Sequence, residues 1–250
     1  MLKILISGAS GHVGKKIAEQ CKNNENIEVL CGVDRFNYGA DFPIYANFGE
    51  VETAPDVIVD FSNPSLLDGI LEFAVKNKTA CVLATTGYSN EQIAKIKKTA
   101  EIIPIFFTAN MSLGVNLLCS LVKKAYSVLG DDFDVEIIEK HHNQKLDAPS
   151  GTALMLANAV NSVANDKFNY EYDRHSKREK RPKNEIGIHS VRGGTIVGEH
   201  DVIFAGNDEV ITLSHTAFSK EVFAMGALRA ASFIAKKDVG LFDMNDVLNL

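Results

Sequence analysis

The chain begins with an apolar run, Leu2–Ser7, that leads directly into three glycines spaced three residues apart, Gly8, Gly11 and Gly14. A continuous apolar run of this length is typical of a strand buried on both faces of a parallel sheet. Glycines at such a turn let the backbone approach a bound phosphate, and a helix predicted over residues 12–23 would point its N-terminal amides at that phosphate. The pattern predicts the strand, turn and helix of a dinucleotide-binding domain.

An acidic and a basic residue stand together where the next predicted strand, residues 27–33, ends. Asp34 lies twenty residues beyond Gly14, where a carboxylate can accept hydrogen bonds from the adenosine ribose of NAD. Arg35 can instead hold the 2′-phosphate of NADP or stack on adenine. We therefore expect NADH, NADPH or both as cofactor. The alternatives are a glycine turn that serves only packing and a solvated Arg35.

The first part of the chain alternates between strand and helix patterns. Further strands are predicted at residues 56–61, 80–85 and 103–108, and helices are predicted from Pro64 and over residues 89–100. Strands that alternate with helices pack as a parallel sheet with helices on both faces. The sequence therefore predicts an α/β fold with a Rossmann-like, doubly wound parallel sheet.

The pattern changes in the second part of the chain. It predicts a long helix over residues 115–129, a strand over 134–140, a helix over 151–164, and strands over 185–192, 196–204 and 209–216. Strands in succession indicate an α+β domain with a mostly antiparallel sheet. A last helix, residues 220–237, is predicted to return to the first domain. We expect a dinucleotide-binding domain of residues 1–112 and 220–250, and an inserted substrate-binding, catalytic and oligomerisation domain of residues 113–219.

Residues 139–152 read EKHHNQKLDAPSGT and combine proton donors with a predicted helix start. Histidine donates and accepts protons near neutral pH, and Lys145 can bind a carboxylate or donate a proton. Ser150 is a good N-cap, so the amides of Gly151 and Thr152 would form an anion site. The segment predicts an active site for a carboxylate substrate. The alternative is a helix cap beside two surface or core histidines.

The remaining histidines and the cysteines point to no further chemistry. His189, His200 and His215 fall in predicted strands and are interpreted as structural or interface residues, and no metal site is expected because no cluster has ligand spacing. The four cysteines lie scattered in predicted apolar elements, which is typical of reduced core residues in a cytoplasmic protein.

The charge and the hydropathy pattern exclude two classes of partner. The formal net charge of -6 argues against general nucleic-acid binding. No segment is long and apolar enough to be expected to span a bilayer. The expected partner is a small molecule.

Seven segments together make the chain resemble the dihydrodipicolinate reductase family over nearly its whole length. They are GASGHVG at the glycine turn, VDFSNP after the third predicted strand, ATTGYS from Ala84, TANMSLGVN from Thr108, EKHHNQKLDAPSGTA, SVRGGTIVGEHDVIFAG and the tail GLFDMNDVL. The histidine segment is highly specific to this family, whereas the glycine turn alone is not.

The resemblance implies a set of cofactor-binding residues. The turn residues that match the binding loop for the dinucleotide phosphates are Gly8, Ala9, Ser10, Gly11, His12 and Val13. Asp34 and Arg35 match contacts to the adenosine half. The residues that match loops beside the nicotinamide are Ala84, Thr85, Thr86, Ala109, Asn110, Met111 and Ser112.

The resemblance also implies catalytic residues and a reaction. His141 matches the proton donor or acceptor, and Lys145 matches a second proton donor. The residues that match substrate-carboxylate contacts are His142, Lys145, Ser150, Gly151 and Thr152. The implied reaction is the NAD(P)H-dependent reduction of 4-hydroxy-tetrahydrodipicolinate, a small dicarboxylate, to tetrahydrodipicolinate in lysine and diaminopimelate biosynthesis, and the implied assembly is a homotetramer.

Two other functions are compatible with the fold. The first is another Rossmann-fold reductase of a small carboxylate, such as a semialdehyde dehydrogenase. A semialdehyde dehydrogenase would need an active-site cysteine, and the cysteines here lie in predicted strands and helices, which disfavours it. A protein that senses NAD(H) without turnover is the other, and it would not need the histidines, Lys145 and the helix start.

Overall fold

A computed structural model describes residues 1–249 of the chain. The chain divides into two compact units. The first unit consists of Met1–Leu113 together with the chain from Glu221 onward, and the second unit is the continuous segment Gly114–Lys220.

Most strands and helices lie within a few residues of their predicted bounds. The strands are β1 (Leu2–Ser7), β2 (Ile27–Val33), β3 (Ile44–Tyr45), β4 (Val57–Asp60), β5 (Ala80–Leu83), β6 (Pro104–Phe107), β7 (Asp134–His141), β8 (Asn169–Glu171), β9 (Glu185–Arg192), β10 (Gly198–Ala205), β11 (Val210–Ala217) and β12 (Gly240–Phe242). The α-helices are α1 (His12–Lys22), α2 (Leu67–Asn77), α3 (Asn90–Thr99), α4 (Leu113–Leu129), α5 (Gly151–Val163), α6 (Glu221–Ile234) and α7 (Met244–Leu248).

The sheet of the first unit is parallel and covered on both faces. Its strand order is β12-β6-β5-β4-β1-β2-β3, and each neighbouring pair is parallel. Successive side chains of a strand point to opposite faces. Ile4 and Ile6 of β1 accordingly pack with α1 and α6 on one face, and Leu5 packs with α2 and α3 on the other. The prediction of a doubly wound parallel sheet is confirmed.

The sheet of the second unit is mixed. Its strand order is β11-β10-β7-β9-β8; β10 runs antiparallel to β7 and β11, whereas β9 runs parallel to β7 and to β8. The expected antiparallel pairing therefore holds for three of these strands. The parallel pairing arises because α5 follows β7 as a crossover, which brings the chain back in the direction of β7.

One face of this mixed sheet carries the core of the second unit. Along β7 buried and half-buried residues alternate, so Val135 and Ile137 pack with residues of α4 and α5. The same alternation places Glu139 and His141 on the covered face, at the carboxyl end of the strand. The end of β7 thus places two polar side chains beside the start of α5.

Within residues 1–249, no helix combines the length and the apolar character needed to cross a bilayer.

Candidate active site

The glycine turn between β1 and α1 has a backbone that other residues could not adopt. Gly8 has a φ of +82°, and a Cβ there would lie 2.6 Å from the carbonyl oxygen of Phe61. A Cβ on Gly14 would lie 2.2 Å from the carbonyl oxygen of Gly8. Gly11 is the N-cap of α1 and, like His12, is exposed. The turn therefore presents an accessible helix N-terminus, which fits the pyrophosphate of a dinucleotide.

Asp34 ties the end of β2 to this turn. Its carboxylate accepts the backbone N–H of Ser10 at 2.9 Å and that of Phe36 at 3.3 Å, and the Ser10 hydroxyl donates to the carbonyl oxygen of Phe36. Arg35 is exposed beside it. A half-buried carboxylate at the end of β2 fits an adenosine ribose.

Two of the predicted turn residues face inward. Ala9 is fully buried, and a Cβ on Gly32 of β2 would lie 2.5 Å from its Cβ, so Ala9 packs the turn against the sheet. Val13 is half-buried against the same core. The surface that the turn offers is formed by Ser10, Gly11 and His12.

A buried carboxylate, which sequence reasoning missed, organises the loop predicted beside the nicotinamide. Asp60 at the end of β4 accepts hydrogen bonds from the hydroxyls of Thr85 at 2.7 Å and Tyr88 at 3.1 Å. The Thr85 hydroxyl in turn accepts the backbone N–H of Ser62 at 2.9 Å. Burial raises the pKa of Asp60, although these hydroxyls act in the opposite direction. The network fixes the loop after β5, where Ala84 and Thr85 are buried and Thr86 is exposed.

The segment after β6 is packed by α6. A Cβ on Gly226 of α6 would lie 1.8 Å from the carbonyl oxygen of Met111, so only glycine allows this approach. Asn110 accepts the backbone N–H of Ser112 at 2.9 Å, and both residues are buried, whereas Ala109 is exposed. The predicted cofactor residues thus all follow the carboxyl ends of parallel strands β1, β2, β5 and β6, the edge at which open α/β sheets bind ligands.

In the second unit, Glu139 is the centre of a polar cluster. It has no exposed surface, and its carboxylate accepts two hydrogen bonds from Arg192, at 2.7 and 2.8 Å. Nδ1 of His141 lies 2.6 Å from Oε2, and the backbone N–H of Ser150 donates to Oε1 at 3.1 Å. Burial raises the pKa of Glu139, but hydrogen bonds from Arg192, Ser190 and His141 outweigh it and lower the pKa to about 2. The carboxylate is therefore ionised at neutral pH.

His200 extends the cluster from the neighbouring strand β10. Its Nε2 lies 3.0 Å from the hydroxyl oxygen of Ser150, and its ring centroid lies 5.1 Å from that of His141. Burial and the neighbouring His141 lower the pKa of His200 to about 4, so the ring is neutral at pH 7. This contact with the cap residue of α5 is consistent with the structural role expected for His200.

The predicted substrate contacts lie in the loop after β7 and at the start of α5. Ser150 caps α5, its hydroxyl accepting the backbone N–H of Ala153 at 3.1 Å. Gly151 is exposed and Thr152 is half-buried at this helix start. Nζ of Lys145 lies 2.8 Å from a carboxylate oxygen of Asp147. The backbone N–H of Lys145 donates a hydrogen bond to the carbonyl oxygen of half-buried His142. The segment from the end of β7 to the start of α5 therefore carries two histidines, a lysine and a helix N-terminus.

Family comparisons decide what this arrangement belongs to. The family model described as "Dihydrodipicolinate reductase, N-terminus" matches residues 2–111, and the one described as "Dihydrodipicolinate reductase, C-terminus" matches residues 114–248. The chain belongs to the dihydrodipicolinate reductase family. The resemblance seen in the sequence is confirmed.

Relatives in this family match the chain from end to end. The 4-hydroxy-tetrahydrodipicolinate reductase of Caldanaerobacter subterraneus subsp. tengcongensis is 51% identical over 248 residues, which are 99% of this chain and 98% of the relative. The enzyme of the same name from Clostridium novyi is 47% identical over 249 residues, 99% of this chain and 98% of the relative.

Solved structures agree with the family. The dipicolinate-bound dihydrodipicolinate reductase from Paenisporosarcina sp. TG-14 has a TM-score of 0.80 at 26% identity and covers 97% of both chains. A probable dehydrogenase from Thermotoga maritima has a TM-score of 0.62 at 10% identity, covering 98% of this chain and 92% of its own, and shares the fold alone.

Sequence reasoning for this dihydrodipicolinate reductase family member did not predict the ion pair of Glu139 with Arg192 or the contact of His200 with Ser150. One signal was present: β7 reads DVEIIEKH, so Glu139 occupies a position of the apolar face and must find a buried partner. Nothing local indicates that Arg192, 53 residues away, is that partner.

Proposed function

We propose that this chain reduces 4-hydroxy-tetrahydrodipicolinate to tetrahydrodipicolinate with NADH or NADPH, and that residues at the end of β7 and in the loop after it carry the proton transfer. The chain is an NAD(P)H-dependent oxidoreductase of the dihydrodipicolinate reductase family. The observation that carries the residue assignment is the single segment, from His141 at the end of β7 to the N-terminus of α5, in which the charge of Lys145 acts on His141.

The first unit supplies the cofactor site in this proposal. When bound, the reduced nicotinamide supplies the hydride. The amides of the glycine turn would hold the pyrophosphate. The Asp34 carboxylate would accept hydrogen bonds from the adenosine ribose while it keeps its hydrogen bond from the backbone N–H of Ser10. Arg35, which is exposed, would contact the 2′-phosphate of NADPH, so these side chains would be compatible with both dinucleotides.

The second unit supplies the substrate site. The relative from Paenisporosarcina holds dipicolinate, a dicarboxylate. One carboxylate of the substrate would accept hydrogen bonds from the amides of Gly151 and Thr152 at the start of α5, where the helix dipole favours an anion. Lys145 would exchange Asp147 for a substrate carboxylate, with His142 beside it. This electrostatic match selects a small dianion.

Proton transfer is assigned to His141 and Lys145. Nδ1 of His141 is engaged by Glu139, so its Nε2 is the atom that exchanges a proton. The reaction transfers a hydride to the ring, adds one proton and releases water. A positioned donor typically contributes about 10²–10⁴-fold to such a step.

Assembly and location follow the family expectation in this proposal. The chain forms a homotetramer through its second unit. This proposal is supported by the edge strand β11, whose Val210 and Ile211 are exposed apolar residues. We place the enzyme in the cytoplasm, in lysine and diaminopimelate biosynthesis; its four cysteines are free and buried, as is usual in a reducing compartment.

Turnover tests the proposal directly. The condensation product of pyruvate and aspartate semialdehyde, freshly made, should cause loss of NADH and NADPH absorbance in proportion to the enzyme added. Neither precursor alone should do so. Dinucleotide binding without any consumption would instead support a sensing protein and contradict the proposal.

A further inference from the structure

We propose that Glu139 and Arg192 are positioning residues for this reaction: the ion pair between the buried Glu139 carboxylate and half-buried Arg192 aligns the imidazole of His141, the start of α5 and the loop that carries Lys145. The inference rests on the proposed function, since it concerns how the groups assigned to that reaction are held in place. Neither residue is assigned to substrate or cofactor contact.

Both oxygens of the Glu139 carboxylate are fully used. Oε2 is 2.6 Å from Nδ1 of His141 and 2.8 Å from one guanidinium nitrogen of Arg192. Oε1 accepts a hydrogen bond from the other guanidinium nitrogen of Arg192 at 2.7 Å and one from the backbone N–H of Ser150 at 3.1 Å. Three of these contacts, two from Arg192 and one from Ser150, come from groups that can only donate, and an ionised carboxylate accepts them all. An amide in its place would turn at least one acceptor into a donor.

This arrangement fixes the tautomer of His141. A carboxylate can only accept, so Nδ1 must carry a proton, and in the neutral ring Nε2 carries the lone pair. Nε2 faces Gly198 of β10, where an added Cβ would lie 3.2 Å away. Glu139 thus determines that Nε2 is the nitrogen that exchanges a proton, and Gly198, which has no side chain, lies next to that nitrogen.

The same ion pair holds the substrate-binding segment. Glu139 binds the backbone of Ser150, the residue directly before the amides of Gly151 and Thr152. Arg192 also donates to the carbonyl oxygen of Asp147 at 2.7 Å. Because Asp147 is the ion-pair partner of Lys145, one contact network reaches all three groups to which the reaction is assigned.

Stability alone gives little reason for this network. Replacing a buried ion pair by packed apolar side chains is often neutral or stabilising, and the covered face of β7 is apolar at Val135 and Ile137. On this face of β7, the buried carboxylate of Glu139 stands where the strand approaches the loop after it. Its position indicates a role in alignment.

Strand β7 also provides a matched comparison on its other face. Glu136 binds Arg181 at 2.9 Å and Nε2 of His189 at 2.8 Å, which repeats the glutamate, arginine and histidine combination. That histidine has a 43% exposed side chain and belongs to no predicted site. Glu136→Gln therefore removes a similar charge from the same strand without touching His141.

The charges that face His141 give the inference a second readout. The negative group is Glu139 of β7. The positive groups are Arg192 of β9 and Lys145 of the loop after β7. Two further titratable groups are His200 of β10 and its neighbour on β11, His215. Burial lowers the pKa of His141 and Glu139 raises it. Without the Glu139 charge, the pKa of His141 should fall further.

The test compares Glu139→Gln with Glu136→Gln in the intact chain. We expect Glu139→Gln to lower kcat by about 10²–10⁴-fold, to raise KM for the dicarboxylate, and to leave the Kd of NADH unchanged. The limb of the kcat/KM pH profile that reports His141 should move to lower pH. Glu136→Gln should leave all four quantities as in the unaltered chain. Arg192→Lys, which keeps the charge but loses the two-pronged contact, should lie between the two.

A measurement on the unaltered chain keeps the inference independent of any folding defect in the variants. Nitrogen-15 NMR of labelled histidine reports which ring nitrogen carries the proton, and His141 is assigned by its absence in His141→Asn. We expect the Nδ1–H tautomer. The Nε2–H tautomer, an unmoved pH limb in folded Glu139→Gln, or equal losses in both glutamine variants would each overturn the inference. Absent turnover in the unaltered chain would refute the proposed function instead, and the tautomer would still decide the alignment of His141.

Discussion

The imidazole of His141 is subject to opposing influences. Burial lowers its pKa below the usual 6.5, the Glu139 carboxylate raises it, and the positive charges of Lys145 and Arg192 lower it again; the net shift is downward. The ring is therefore mostly neutral at pH 7 in the free protein. A bound dicarboxylate brings negative charge to the same loop and should raise this pKa, because an opposite charge favours the protonated form.

Binding of a dicarboxylate analogue should consequently take up protons. At a pH between the lower pKa of free His141 and the higher pKa of the complex, net uptake is expected on binding dipicolinate. Calorimetric titration near pH 6.5 in buffers of different ionisation enthalpy measures it. His141→Asn should abolish the uptake, whereas His189→Asn, which alters the histidine beside Glu136, should preserve it. Proton release by the unaltered chain would contradict this account of His141.

Arg35 should discriminate between the two dinucleotides. Only NADPH carries the 2′-phosphate, so Arg35→Ala should weaken NADPH more than NADH, by roughly 1.5–3 kcal/mol if a charge-assisted hydrogen bond is lost. Fluorescence titration with each dinucleotide measures the difference. Arg178→Ala, which removes an exposed charge from the second unit, is the control and should change neither affinity. Equal weakening of both dinucleotides would show that Arg35 makes no contact with the phosphate.

Residue-level prediction from sequence worked where the signal is local. Gly8, Gly11 and Gly14 lie within one turn, and Ser150 acts as the predicted N-cap of α5. The partner of Glu139 could not be predicted, since Arg192 is brought to it by the pairing of β7 with β9. His200 likewise meets Ser150 only through the pairing of β10 with β7.

At the scale of elements, the glycine turn joins β1 to α1 through contacts too close for side chains. Gly14→Ala would place a Cβ 2.2 Å from the carbonyl oxygen of Gly8 and 2.9 Å from Cα of Ala9, so the backbone must shift. We expect a loss of stability of about 1–3 kcal/mol or more, together with weaker NADH binding. Urea denaturation and NADH titration measure the two effects.

Gly69→Ala in α2 is the matched control for this prediction. Its Cβ would lie 3.7 Å from Cδ2 of Phe48, an ordinary contact. Alanine favours helix over glycine by about 0.5–1 kcal/mol, so this variant should be as stable as the unaltered chain or more so, with unchanged NADH binding. If Gly14→Ala behaved like Gly69→Ala, the account of the turn would be wrong.

The elements that the sequence did not predict are the short ones. β3, β8 and β12 have two or three residues, and α7 has five, too few to show a strand or helix period. β8 exists because Asn169–Glu171 pairs with Glu185–Gly187 across a long loop. Tertiary pairing, which no local pattern encodes, therefore explains these misses and the parallel half of the mixed sheet.

At the scale of the whole molecule, assembly is the first test. If the chain forms the proposed homotetramer, light scattering after gel filtration should give about four times 27.3 kDa. Val210→Lys, which places a charge on exposed edge strand β11, should lower the mass if this strand takes part in association. Val128→Lys, an equally apolar and exposed position on α4, is the control. A monomeric mass for the unaltered chain would contradict the proposed assembly.

We propose that the chain transfers a hydride from the nicotinamide to the lysine-pathway dicarboxylate and that His141 and Lys145 supply the proton. A single-turnover reaction with NADH deuterated at the transferring position, followed by mass spectrometry of tetrahydrodipicolinate, measures the hydride transfer. We expect one deuterium in each product molecule. We also expect rates lowered about 10²–10⁴-fold in His141→Ala and Lys145→Ala, with NADH affinity unchanged. Product without deuterium would contradict hydride transfer from the nicotinamide, and variants as fast as the unaltered chain would contradict the roles of His141 and Lys145.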